Sequence, residues 1–430
     1  MGLVSAIVDA ITPDATAELT EARVRRERRF GGFVAFLAVL TAVGLLPRAE
    51  GSATFRLNVG DTAVQLPDLS VPVAPLLVGV TLALAAAAAL LFTHRTGGRA
   101  VTVVGIASGL FVLGYLGYAV DGQTASLVGL LRGTITASTP IAFGALAGVL
   151  CERAGVINIA IEGQFLAAAF TGAVVGSVAG SPWIGLVGGV LAGVLIAAML
   201  AGLSIKFKAD QIVVGVVLIV FATGFTSFLT TQVLSGASGL NSPPRFRAVA
   251  IPVLSEIPFL GPLLFRLTPL TYAMLLLTLW LHVALFRTRW GLRLRSVGEK
   301  PRAADTVGIN VIATRWKAVL LGGAVAGLGG SWFTLDSVGA FSREMTGGRG
   351  FIALAAMLVG RYSPIGAFGA ALLFGFATAF ADALQILDTG VPSSLLRTAP
   401  YVVTIFVVAG LVGRLRPPAA NGKPYETDGS

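Results

Sequence analysis

The chain has one cysteine, Cys151, and two histidines, His94 and His282, in 430 residues. A single thiol excludes an intrachain disulfide and any cysteine-rich metal site. The histidines lie far apart and match no ligand spacing, so both are read as interfacial or packing residues and no metal is expected. Charge is also scarce: Asp, Glu, Lys and Arg make up 12% of the residues, against roughly a quarter in ordinary globular domains. No G-x-x-x-x-G-K-[ST] phosphate loop occurs, and NGKP at 421–424 lacks that pattern. With no H-E-x-x-H and no clustered acids, a membrane-embedded enzyme has little to work with.

What the chain does have is apolar length. Hydrophobic residues are 55% of the total and the mean hydropathy is +0.85. Twelve apolar segments lie near 30–47, 72–93, 100–120, 127–150, 164–180, 183–204, 211–230, 263–285, 318–335, 350–360, 365–386 and 398–413. Most approach the ~20 residues a helix needs to cross a bilayer. The sequence therefore predicts an all-α, polytopic transmembrane helical bundle of about 10–12 spans. The segment 350–360 is short enough to be re-entrant. The 54 glycines follow no repeat and suit close helix packing in lipid; GALAG and GGAVAGLGG are weak motifs of that kind.

The formal charge of +10 raises the question of nucleic acid, but topology accounts for it. With the N-terminus inside, 22 of the 31 Lys and Arg residues fall on inside segments, the sign expected of cytoplasmic loops. Both termini are expected to be cytoplasmic. The first span follows EARVRRERR, so the N-terminus does not read as a cleaved signal peptide. Residues 1–20 are expected to form a short amphipathic surface helix. On the outside, 49–71 suggests a small hairpin at ATFRLNVGDTAVQL, and NSPPRFRAVAIP in 231–262 excludes a regular helix. Three parts result: 1–124 with three accessory spans, a core over 125–415, and a disordered tail over 416–430.

Two stretches carry chemistry. In the inside loop 286–317, PRAADTVG predicts a short helix, with Pro301 at its first position and Gly308 as its stop. Eight basic residues surround it. One reading is a solvated positive loop; the other is a helix too short to stand alone that docks on a partner, with Gly298 and Gly308 as hinges. The second stretch, CERAGVINIAIEGQ (151–164), places Glu152, Arg153, Asn158, Glu162 and Gln164 between two apolar runs. Polar groups at membrane depth need protein or a water-filled cavity beside them. Glu162 is read either as part of a gate or pathway, or as pairing with a base and capping a helix end. Asp382 and Gln385 share one face of a later span, as pathway lining or as an interhelical bond between subunits. Arg132 is expected to snorkel and Asp210 to act as an interfacial cap.

SVGEKPRAADTVGINV with TRWKAVLLGGAVAGLGGSW resembles the cytoplasmic loop and following helix of permease subunits of bacterial ABC importers. CERAGVINIAIEGQFLAAAF and GRGFIALAAMLVGRYSPIGAFGAALLFGFATAFADALQ resemble further signatures of the nucleoside-type branch, which is grouped with the branched-chain amino acid and simple-sugar permeases. The likeness covers about 125–415. Ala160 stands where the family usually has Gly, and Gln164 where it often has Met. The resemblance implies half of a membrane pore beside a second, similar permease, and an extracytoplasmic binding protein or lipoprotein that delivers substrate. It also implies ATPase subunits gripping 295–310 through Arg295, Gly298, Glu299, Pro301, Arg302, Asp305 and Gly308. ATP-Mg would then sit on those partners, with no cofactor on this chain. A bacterial cell membrane is the implied location, with lipid and no nucleic acid as partner. Nucleoside import is the leading expectation, ahead of simple sugars or branched-chain amino acids. An ion-coupled secondary transporter is the alternative, but it leaves the PRAADTVG loop without a task.

Overall fold

A computed structural model describes residues 13–58, 65–96, 98–387 and 416–426, with Leu395, Thr398 and Tyr401. Among them, ten helices are long and apolar enough to cross a membrane, which makes this a multi-pass membrane protein. Apart from Thr398 and Tyr401, the expected span at 398–413 lies outside the described residues. The chain divides into two compact units, with the boundary after Leu127.

The first unit holds three spans. Helix α1 runs Pro13–Val39, then continues as a π-helical turn to Leu45. Residues 13–20 thus open a helix continuous with the first span, and Arg25–Glu21 and Arg23–Glu27 pairs four residues apart support its charged turns. Helices α2 (Val73–Phe92) and α3 (Ala100–Ala119) have 20 residues each. At 1.5 Å per residue each spans about 30 Å, the thickness of a hydrocarbon core. Val34, Leu77, Leu84 and Leu91 are fully buried between the three helices. His94 is not simply packed: it pairs with a carboxylate. The buried Glu27 carboxylate lies 3.0 Å from its Nδ1 and accepts from Thr96 Oγ1 at 2.8 Å and Arg23 Nε at 3.1 Å. Three short strands form a sheet in this unit. Strand β1 (Ser52–Arg56) pairs antiparallel with β2 (Leu69–Pro72) and parallel with β3 (Thr124–Ser126). The hairpin's return strand therefore starts later than the 53–66 stretch suggests.

The second unit contains α4 (Leu127–Arg153), α5 (Ile161–Ala179), α6 (Pro182–Ala201) and α7 (Gln211–Leu229). A loop follows. In it β4 (Val249–Ala250) pairs with β5 (Arg266–Leu267) around a single turn, α8 (Leu260–Leu264). Then come α9 (Pro269–Arg287), α10 (Arg289–Glu299), α11 (Pro301–Thr306), α12 (Val311–Trp332), α13 (Arg349–Val359) and α14 (Pro364–Ile386). The span built on α4 is 83% buried and that on α12 is 78% buried, against 28% for α7, so α4 and α12 form the centre. Gly193 of α6 meets the α12 backbone so closely that a Cβ there would lie 2.5 Å from Gly323 O and 2.7 Å from Gly327 Cα. The GGAVAGLGG run is thus a helix-contact face, as small residues in lipid tend to be.

Two irregular stretches interrupt this bundle. After α4, Gly155 turns left-handed (φ 87°) and residues 156–160 run without helix before α5 starts. After α12, a π-helical segment (Phe333–Val338) leads through a loop into α13, whose 11 residues reach only about 16 Å. That is half a bilayer, as the shortness of 350–360 suggests.

The composition of 416–430 predicts disorder, yet Arg416–Glu426 lies in defined contacts. Ala420 N–H donates to Gly298 O at 2.9 Å, and Gly422 N–H to Gly155 O at 3.3 Å. Disorder follows when a segment buries too little, and here backbone and side-chain partners are supplied from elsewhere in the chain. Residues 427–430 lie outside the described ones.

Candidate functional site

The two motif stretches of the core meet. Glu162, in the first turn of α5, is 6% exposed and aims its carboxylate at the start of α13. Oε1 accepts from Thr346 Oγ1 at 2.5 Å and from Gly348 N–H at 2.8 Å, and Oε2 accepts from Gly350 N–H at 2.6 Å. These N–H groups belong to the open amino end of a helix, where a negative charge is stabilised. A Cβ at Gly350 would lie 2.6 Å from Glu162 N, so glycine lets the two backbones touch. Of the two readings of Glu162, this geometry is that of a helix cap, with backbone N–H groups and a hydroxyl in place of a base.

Arg349 adds a positive charge that the sequence reading passed over. Its guanidinium sits 5.6 Å from the Phe333 ring centre, within electrostatic reach of Tyr401, Asp382 and Glu162. Asp382 is exposed and Gln385 half-buried on α14. Arg349 Nη1 itself donates to Thr346 O at 3.4 Å, within the loop that Glu162 clasps. Tyr401 OH donates to Gly347 O at 2.8 Å, fastening the same loop.

Asn158 and Gln164 form a separate knot. Both are fully buried, and their amides exchange bonds: Asn158 Nδ2 to Gln164 Oε1 at 3.2 Å and Gln164 Nε2 to Asn158 Oδ1 at 3.4 Å. Asn158 Nδ2 also donates to Cys151 Sγ at 3.6 Å. Buried amides must find partners, and this pair largely supplies its own. The irregular turn is further held by Gln211, whose side-chain oxygen accepts Ile157 N–H at 2.7 Å, just beyond the Asp210 cap of α7. A second polar line runs from Thr139 of α4 through Thr271 and Thr268 to Asp336, which accepts from Thr268 Oγ1 at 2.6 Å. None of those four residues was singled out from sequence, because each looks like an isolated polar residue in its own span.

At the end of α4 lies the 286–317 connection, which is more ordered than a loop. The short helix is present as α11, with Pro301 at its start and Gly308 left-handed at φ 81°. It is preceded by α10, whose N-terminus Thr288 caps by accepting Gly291 N–H at 3.2 Å. Ala304 packs inward on Val297 and Val311, while Arg302, Ala303, Asp305 and Val307 are exposed. A concave cavity of about 860 Å³ lies alongside, lined by Arg293, Ser296, Lys300, Ala303 and Asn310 among others. Gly298, expected as a hinge, lies inside α10, and a Cβ there would be 2.2 Å from Arg153 O. It is a contact point between α10 and the CERAG turn. Arg153 and Arg295 both stack on Phe286, at 5.5 and 5.0 Å from its centre, and Arg153 Nε donates to Tyr362 O at 2.8 Å. One end of the bundle thus gathers α10, α11, the irregular turn and the approach to α14.

A family description, branched-chain amino acid transport system / permease component, matches residues 129–412. This chain belongs to that permease family. The permease is 38% identical over 307 residues to the guanosine ABC transporter permease protein NupQ of Bacillus subtilis (strain 168), covering 69% of this chain and 96% of that one. To the nucleoside ABC transporter permease protein NupC of Lactococcus lactis subsp. cremoris (strain MG1363) it is 39% identical over 297 residues, or 67% and 93% of the two chains. The glucose ABC transporter permease protein TsgB13 of Haloferax volcanii is more distant, at 27% over 65% of this chain and 76% of its own. No solved structure matches the permease.

Proposed function

We propose that the permease is the membrane-spanning subunit of an ATP-driven importer of nucleosides, working with separate ATPase subunits, a second permease and an external binding protein. The observation that carries the coupling is the α10–α11 pair: one face is packed on the bundle through Ala304, and the other presents Arg302, Asp305 and Val307 beside an open cavity. An isolated six-residue helix is not stable in water, so its preformed shape is maintained by the bundle beneath it and is available to a partner. Nucleosides are favoured as cargo because the relatives of highest identity named above carry guanosine and nucleoside in their names.

On this reading α10–α11 faces the cytoplasm together with both chain ends, the placement that the Lys and Arg distribution favours. The ATPase subunits hold ATP and magnesium, and their closure supplies the force. This chain's part is mechanical. Gly298 and the Phe286 stack pass a displacement of α10 to the turn at Arg153, and that turn leads to Asn158 and Glu162. Glu162 then carries it to α13 through the cap on Gly348 and Gly350. Coupling of this kind requires contacts that differ between two states, with the cap and the amide knot as the joints that rearrange or hold.

The test is purification of the chain from its native membrane with identification of the proteins that accompany it, followed by guanosine uptake. An ATPase subunit should be recovered, and replacing Arg302 and Asp305 together with Ala should abolish its recovery or its coupling. Normal ATP-driven uptake by that variant would count against the assignment. Uptake by the chain alone, driven by an ion gradient, would favour a secondary transporter.

A further inference from the structure

We propose that Pro418–Glu426 is a coupling strap, which ties the α10–α11 pair to the end of α4 and the irregular turn that follows it, residues 152–157, so that the two move as one body. The proposal rests on the reading of α10–α11 as the element that ATPase subunits hold.

The segment makes two sets of bonds. Toward the helices, Ala420 N–H donates to Gly298 O at 2.9 Å and Ala419 N–H to Glu299 Oε2 at 3.2 Å. Tyr425 OH donates to Asp305 Oδ2 at 2.8 Å, and its ring packs on Val297, Ala304 and Val311. Toward the turn, Asn421 Nδ2 donates to Glu152 Oε2 at 2.7 Å, and Gly422 N–H to Gly155 O at 3.3 Å. Gly422 lies so near Ile157 that a Cβ would come within 2.8 Å of its Cδ1. Ala420 and Asn421 are neighbours in sequence, so the two sets are one peptide unit apart. A displacement of α10 therefore pulls on Glu152 and Gly155 through a very short span of backbone.

Arg315 explains why the strap stays in place. Its side chain is buried at the start of α12, and Nη1 donates to Lys423 O at 2.8 Å. Among the described residues, its Nε and Nη2 are buried without a partner. Lifting the strap removes an acceptor from a buried cation, which is costly. A latch meant to peel off would be held by exposed, weak contacts, of which the Lys208–Glu426 pair at 3.0 Å is the example here. The bonds of Ala419 to Glu299 and of Tyr425 to Asp305 are exposed as well, so the hold of a structural tie comes from the partly buried bonds of Arg315 to Lys423 O and of Asn421 to Glu152.

The experiment compares the complete transporter in liposomes, with its ATPase and binding-protein partners, for three forms of this chain: full length, ended at Arg416, and the double variant Asn421→Ala/Tyr425→Phe. Radiolabelled guanosine imported per ATP hydrolysed is measured, together with ATPase recovered per permease. The full-length form tests the docking reading by itself: absence of an ATPase from it rejects that reading and the strap together. With ATP-driven import established there, both altered forms should retain the ATPase and continue hydrolysis. Guanosine per ATP should fall at least about fivefold in the shortened form, the low end of ordinary coupling energies. The double variant should fall in between, and it decides the matter if the shortened chain does not accumulate. An unchanged ratio overturns the strap. So does a joint rise of hydrolysis and import, which would make the segment an inhibitory latch.

Discussion

Glu162 and Gly350 stand 188 residues apart in the chain, yet a carboxylate oxygen of the first accepts the backbone N–H of the second at 2.6 Å. The same carboxylate takes Gly348 N–H and the Thr346 hydroxyl. One acidic side chain thus joins the irregular entry to α5 with the half-length helix α13. A buried charge with three donors is compensated, and bonds of this kind are about twice as strong as neutral ones.

Glu162→Gln keeps the size but replaces one acceptor oxygen with an amide donor that faces other donors. We expect a loss of about 1.5–3 kcal/mol in stability, the usual range for hydrogen bonds to charged groups. Glu162→Asp keeps the charge but is one methylene short, so its loss should be smaller. Thermal unfolding of the purified protein in detergent checks the order. Equal stability of the Gln variant and the parent would remove the cap from the account.

Asn158 and Gln164 should behave as a pair. Gln164→Met leaves Asn158 with Cys151 Sγ as its remaining side-chain partner, at a cost of about 1–3 kcal/mol for the unsatisfied amide. Asn158→Ala strands Gln164 in the same way. The double replacement removes both polar groups and should cost less than the sum of the single changes by roughly 1 kcal/mol. Strict additivity in a double-mutant cycle would mean that the amides do not interact.

The spans were legible in the sequence because the bilayer sets a length that composition alone reveals. Pro301 and Gly308 marked α11 because helix ends have their own residue preferences. The clasp on Glu162 was only half legible: the carboxylate stood out, but its partners are backbone N–H groups far along the chain. Nothing in the side chains of Gly348 and Gly350 advertises a donor. The strap was missed for a related reason. PPAANGKPYE has no periodicity and few apolar residues, and its partners Glu152, Gly155, Arg315 and Asp305 are scattered over more than 150 residues. Arg349 was passed over because a single Arg at the edge of an apolar run looks like an interfacial anchor.

Gly193→Ala tests the helix-contact face. The added methyl would sit 2.5 Å from Gly323 O, a backbone atom that cannot rotate away, so α6 must move off α12. Overpacking of this kind costs about 1–3 kcal/mol. Gly224→Ala is the control, since it lies on α7 and a Cβ there meets nothing within 4 Å among the described residues. The first should lower the unfolding temperature and broaden the size-exclusion profile. The second should leave both as they are, and similar behaviour of the two would place the α6–α12 contact elsewhere.

The two glycines flanking α11 make opposite predictions about transport. At Gly298 a Cβ would stand 2.2 Å from Arg153 O, so alanine forces α10 away from the turn that follows α4. At Gly308 a Cβ meets nothing within 4 Å among the described residues, and alanine costs only the strain of its left-handed backbone, on the order of 1 kcal/mol. If α10 transmits motion through that contact, Gly298→Ala should reduce guanosine uptake by roughly tenfold or more while Gly308→Ala reduces it a few-fold at most. ATPase recovery should be similar for both, because neither change alters the exposed face of α11. Were Gly308 instead a hinge on which α11 swings, the ranking would reverse, and uptake by the two alanine variants distinguishes a contact from a hinge.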